Sequence, residues 1–183
     1  MRGQRMTARQ GAAVYVGASV FGAWCGVAPR SASVLLKRYD DWPAEDARFE
    51  PGRHGGFDRG WSPDREAEVR AWNASRPGQG ARNAPDRAPA LPRPAPVRYL
   101  TIGGVGALLG RDPSTSSGWL RRYHDWPEAD AELGPGRGGV PDLGWLPERV
   151  YLAGGEPGDW ALWDAGRTGQ GAPGVPKPRR SRR

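Results

Sequence analysis

Cysteine, histidine and lysine are almost missing from this chain of 183 residues, which has one Cys, two His, and two Lys among 27 basic side chains. A lone cysteine forms no internal disulfide. Neither His54 nor His124 belongs to a carboxylate–histidine cluster at ligand spacing, so no metal or other cofactor is expected. No apolar run approaches the length of a bilayer span, and no signal-peptide core follows the basic N-terminus. The reading is therefore a cytoplasmic chain with no membrane partner. The serines lack a histidine partner, the carboxylates crowd one loop, and no phosphate-binding glycine loop opens a helix. That argues against an enzyme.

What the chain has instead is a repeat. Tyr15 to Arg65 aligns without a gap onto Tyr99 to Arg149 at an offset of 84 residues, with 23 of 51 paired positions identical. Tyr39-Asp40-Asp41-Trp42-Pro43 returns as Tyr123-His124-Asp125-Trp126-Pro127, and Gly60-Trp61-Ser62-Pro63 as Gly144-Trp145-Leu146-Pro147. After about seven extra residues in the second copy, Trp72 to Ala81 realigns with Trp163 to Ala172. Two copies of one small module indicate repeated use of a binding surface. Modules of this size are near the lower limit for a self-supporting core, and the nine tryptophans offset that. Trp42/Trp126, Trp61/Trp145 and Trp72/Trp163 recur at matched positions and read as packing residues. Cys25 aligns with Leu109, so it reads as a small buried apolar residue.

The net charge of +7 is unevenly placed. Val14 to Arg76 carries nine basic and nine acidic side chains, and Arg98 to Arg167 seven and ten. The excess lies in residues 1–13 (+3), in 77–97 (+2) and in 168–183 (+5). The predicted organisation is a disordered basic arm over 1–13, module 1 over 14–76, a Pro/Gly/Arg linker over 77–97, module 2 over 98–170, and a disordered basic tail over 171–183.

Each module reads as helix, turn, helix, hairpin, helix, a mainly helical α+β class. A first helix spans about Gly17 to Cys25 and Thr101 to Leu109, stopped by Gly26 and Gly110. The second helix opens at Pro29 and Pro113. Asp112 is placed to cap it in the second copy, where the first copy has Ala28. Phe49 to Ser62 and Leu133 to Leu146 read as glycine-tipped hairpins, and a last helix is predicted from Pro63 and Pro147.

This order resembles the excisionase-like branch of the winged helix-turn-helix proteins, related to the MerR DNA-binding domain, in two tandem copies. The resemblance rests on Gly22 and Gly106 before the turn, Gly26 and Gly110 at it, and Leu35 and Trp119 at the centre of the second helix. It continues in Asp41-Trp42-Pro43 and Asp125-Trp126-Pro127, Gly52-Arg53 and Gly136-Arg137 as wings, Trp61 and Trp145, and Val69-Arg70-Ala71-Trp72. It covers roughly two thirds of the chain, and the ordered set carries it. The second copy departs from the pattern with Gly103, Gly104 and Gly106 in its first helix, Gly118 in its second, and Arg111 after the turn. Each helical glycine costs about 1 kcal/mol against alanine, which points to a helix that is weak alone or held by docking.

The resemblance implies a sequence-specific double-stranded DNA-binding protein, nucleoid-associated, acting as a transcriptional regulator or as an excisionase-like architectural factor with a recombinase or other protein partner. A recognition helix needs short polar side chains near its start for base edges and cations further on for phosphates. Arg30, Ser31 and Ser33, with Ser114, Thr115 and Ser117, are the base-edge candidates. Lys37, Arg38, Arg121 and Arg122 are the phosphate candidates, and Arg53 and Arg137 are the wing-tip candidates for a minor groove. The sequence predicts a monomer on a non-palindromic site, with two related half-sites about one turn apart. The competing reading is a protein-interaction module on the same fold, its basic tails serving as nucleic-acid anchors.

Overall fold

The computed structural model describes residues 11–39, 41–52, 55–76, 94–123, 125–136 and 139–167. The first copy runs β1 (Ala13–Val16), α1 (Ala18–Trp24), α2 (Pro29–Arg38), β2 (Ala47–Glu50), β3 (Asp58–Gly60), a 3-10 turn (Pro63–Arg65) and α3 (Glu66–Ala74). The second runs β4 (Val97–Leu100), α4 (Ile102–Leu108), α5 (Pro113–Arg122), β5 (Ala131–Gly134), β6 (Asp142–Gly144), a 3-10 turn (Pro147–Arg149) and α6 (Asp159–Ala165). The class is α+β, with small mixed sheets. No helix among the described residues is long and apolar enough to cross a membrane.

The helix boundaries follow local chemistry. Gly26 and Gly110 adopt φ of +71° and +66°, a region costly for any side chain, and so end α1 and α4. The next helix packs tightly on the first because position 22/106 is glycine. A Cβ on Gly22 would lie 2.7 Å from the Cβ of Ala32, and one on Gly106 would lie 2.5 Å from that of Ser116. At the start of α5, the Asp112 carboxylate accepts from Ser114 N at 2.8 Å, whereas Ala28 before α2 offers no side-chain acceptor. Ala28→Asp should therefore raise stability by about 1 kcal/mol, a Tm increase of roughly 2–4 °C. An unchanged Tm would show that the first N–H groups of α2 gain nothing from a cap.

The final helices differ from their predicted start. Pro63 and Pro147 open 3-10 turns, and α3 follows at once, but α6 begins only at Asp159. The extra residues of the second copy form a turn closed by the Tyr151–Pro157 bridge, and they separate the two pieces.

The main difference from the sequence reading lies in β1 and β4. Ala13 and Val97, placed by sequence in the arm and the linker, are the first residues of these two strands. Each strand adds, in parallel, to the hairpin of the other copy. Ala13 pairs with Ala131, and Val97 with Ala47. The sheets are thus ordered β1-β5-β6 and β3-β2-β4, each built from both copies. Where β1 ends, Val16 turns back to its own copy and exchanges backbone hydrogen bonds with Trp61, as Leu100 does with Trp145. Neither copy has a complete sheet without the other.

Three cores result. Phe21, Trp24, Leu35, Trp61, Val69 and Trp72 fill the first copy. Val105, Trp119, Trp145, Val150 and Trp160 fill the second. Between them lies a shared core of Ala47, Phe49, Tyr99, Ala131 and Leu133, flanked by Ala13 and Tyr15. Phe49 stacks on Tyr99 at 5.3 Å between ring centroids, and the hydroxyls of Tyr15 and Tyr99 lie 3.4 Å apart. Burial, with Tyr15 beside it, holds the Tyr99 phenol well above the usual range. Cys25 is buried, and burial pushes its thiol up as well, as its alignment with a leucine implied.

Close docking also explains one glycine of α4. A Cβ on Gly104 would sit 2.4 Å from the carbonyl oxygen of Glu50 in the first copy, so α4 lies directly on that hairpin. The Arg111 departure is likewise accounted for, because its guanidinium donates to Asp164 on α6 at 2.7 and 3.0 Å.

Candidate nucleic-acid interface

An amphipathic second helix buries one stripe and offers another to its surroundings. In α2 the buried stripe is Ala32, Leu35 and then Tyr39, which just follows the helix. Arg30, Ser33, Val34 and Lys37, at i, i+3, i+4 and i+7, form the exposed stripe, and Arg38 lies beside it. In α5 the buried positions are Ser116 and Trp119, with Tyr123 next. The equivalent stripe is Ser114, Ser117, Gly118 and Arg121, with Thr115 and Arg122 at its sides, all exposed except the half-buried Gly118. Ser31, also a candidate from sequence, is half-buried and lies off the α2 stripe.

Four candidates of the second copy, Ser114, Thr115, Arg121 and Arg122, line an open concavity of about 760 Å³ together with Gly118, Asp112 and Asp164. Arg111 and Arg167 line it too. The Ser114 hydroxyl donates to Asp112 Oδ1 at 2.5 Å, and Ser117 donates to the Ser114 carbonyl at 3.0 Å. Both oxygens thereby keep lone pairs to accept from a ligand. The hydrogen bonds from Ser114 also hold the Asp112 carboxyl below the usual carboxylate range. Arg53 and Arg137, the wing-tip candidates, lie outside the described residues, as do residues 77–93 of the linker, 168–170 at the end of module 2 and the tail over 171–183.

The remaining cationic candidates differ from most of the other described arginines, which are held by carboxylates. Among the described residues, Arg30, Lys37, Arg38, Arg121 and Arg122 make no ion pair. Of the acidic residues between the second helix and the hairpin, Glu45, Asp46, Glu50 and Asp130 are held by arginines. Buried Glu45 pairs with Arg48 at 2.7 Å and Arg59 at 3.7 Å, and Glu50 pairs with Arg98 at 2.5 Å. Asp46 and Asp130 pair with Arg65 and Arg149, each at 2.7 Å. A module of zero net charge can therefore still present a cationic helix end.

Those last two pairs are structural, and they give the recurring D-W-P segment its purpose. Asp46 and Asp130 each take a guanidinium on Oδ1 and the backbone N–H of Ser62 or Leu146 on Oδ2. The indoles of Trp61 and Trp145 donate to the carbonyls of Pro43 and Pro127 at 2.8 and 2.9 Å. The loop leaving the second helix is thus tied to the far side of the hairpin twice over. Asp46, Arg65 and their equivalents are identical in the two copies, which is the signal the sequence carries for these pairs.

Sequence reasoning also passed over Val34. It stands 62% exposed on the α2 stripe between two polar candidates, where an apolar side chain gains nothing from folding. Its position four residues after Arg30 was the available clue. No family model, no curated protein and no solved structure matches this chain, so its reading rests on the geometry of the two helices.

Proposed function

We propose that the two copies are winged helix-turn-helix modules and that the chain binds double-stranded DNA sequence-specifically, as a transcriptional regulator or as an excisionase-like architectural factor. In this reading α2 and α5 are the recognition helices and the β2–β3 and β5–β6 hairpins the wings. The observation that carries it is the pair of equivalent stripes, polar at the helix start and cationic at its end, whose cations make no ion pair among the described residues while most other described arginines do. Arg30 can give a guanine edge two parallel hydrogen bonds, and the Val34 methyls can meet a thymine methyl. Ser33 and Thr115 can donate to or accept from either kind of base, and the Ser114 and Ser117 hydroxyls, whose protons are already donated, can accept. Lys37, Arg38, Arg121 and Arg122 come two turns later, where a helix in the major groove passes the phosphates.

The test is a comparison of specific and random duplexes. Arg30→Ala, and Ser114→Ala with Thr115→Ala, should cost about 1–3 kcal/mol of discrimination per lost base contact. Overall affinity should fall less. An equal loss on both duplexes would mean that these side chains only position the protein. No binding to any duplex at low salt would favour the protein-interaction reading instead.

A further inference from the structure

The strand exchange between the copies is reciprocal in its backbone register and hydrogen bonds. Ala13 N donates to Asp130 O and Val97 N to Asp46 O, both at 2.9 Å. Gly17 N donates to Gly134 O at 3.1 Å, and Thr101 N to Glu50 O at 2.7 Å. Each donor and acceptor in one contact is displaced by 84 residues, in opposite senses, to give the other. What the first copy does to the second, the second does to the first. An arrangement with that property is related by a two-fold rotation, since a translation or a screw would leave one strand and one hairpin edge unmatched. The contact at the centre fits, because Tyr15 meets its own equivalent, Tyr99, with ring centroids 5.8 Å apart.

A two-fold axis between the sheets relates α2 to α5 as well. B-form DNA has two-fold axes perpendicular to its length, and a protein that shares one reads two half-sites of opposite direction. We infer that the target of this single chain is an imperfect inverted repeat. This rests on the DNA-binding reading given above. It replaces the sequence-based expectation of a non-palindromic site with two related half-sites, because the exchanged strands relate the two helices. The repeat is imperfect because the stripes differ where bases would be read, Arg30 against Ser114 and Val34 against Gly118, and because exposed Thr115 flanks the second stripe where the first has half-buried Ser31.

The experiment is a binding-site selection from a random duplex library with the full chain, followed by affinity measurements on the enriched site with one block reversed. The expected site has two related, unequal blocks in inverted orientation, bound by one chain per duplex. Reversing one block should weaken binding at least about tenfold, the scale of one lost base contact. A second selection uses Ser114→Arg/Thr115→Ser/Gly118→Val, which gives the first turns of α5 the residues of α2 that would face bases. All three positions tolerate the change, since Ser114 and Thr115 are exposed and a Cβ on Gly118 has no neighbour within 4 Å. Its enriched site should become a near-perfect palindrome. Directly repeated blocks, a single block, or two duplexes held by one chain would overturn the inference while leaving DNA binding standing. Sequence-indifferent binding would overturn it too, and failure to bind any duplex at low salt would remove the DNA reading itself.

Discussion

Phe49→Ala is expected to destabilise the chain by about 3–5 kcal/mol, the range for a fully buried aromatic truncated to alanine. Phe49 is 0% exposed in the shared core. It stacks on Tyr99 of the other copy and meets Tyr15 edge-on at 6.1 Å. Its ring also lies against Gly144, where any Cβ would come within 2.5 Å of it. The loss therefore falls on both copies at once. Denaturation should remain one cooperative transition, with tryptophan fluorescence and circular dichroism reporting the same midpoint. Phe49→Leu, which installs the residue found at the equivalent Leu133, should cost less than about 1.5 kcal/mol. Two separable transitions, with only one shifted by Phe49→Ala, would show that the copies fold independently and that the shared sheets contribute little.

Much of the local structure was legible in the sequence. The glycine stops at Gly26 and Gly110, the prolines opening α2 and α5, the Asp112 cap and the hairpin spans each follow from a residue whose conformational preference acts on its immediate neighbours. The exchanged strands were not legible. Ala13–Val16 is four residues long, too short for a period-2 pattern, and its partner lies more than a hundred residues away. Nothing in a linear reading distinguishes pairing with the near hairpin from pairing with the far one. The identity of Tyr15 and Tyr99 at the very start of the repeat was a trace of it, because both side chains meet at the centre of the molecule. Of the proposed site, helix position identified most candidates but could not separate Ser31, which the fold half-buries, from Ser33, which it exposes. Nor could it tell which arginines would be consumed by carboxylates. In the fold Arg65 and Arg149 are ion-paired, whereas Arg121 and Arg122 make no ion pair among the described residues.

That distinction sets the second large effect. Lys37→Gln, Arg38→Gln, Arg121→Gln and Arg122→Gln together should leave the fold intact, since all four are exposed in the last turns of α2 and α5 and glutamine is a good helix former. Arg38 gives up only a contact over the Tyr39 ring at 5.8 Å. Duplex affinity should nevertheless fall by orders of magnitude near physiological salt, on specific and random sequences alike. Each phosphate contact removed lowers the slope of log affinity against log salt by about 0.9, so four contacts lower it by about 3.6. A control that removes paired guanidinium groups, Arg48→Gln with Arg98→Gln, should leave the slope almost unchanged.

Salt titration of duplex binding by the full chain and by the four-glutamine variant, side by side, tests the proposal most directly. The account requires a steep slope for the natural chain and one shallower by about 3.6 for the variant, with circular dichroism unchanged. Equal slopes would contradict it, because the unpaired cations of α2 and α5 would then not be what meets the phosphates.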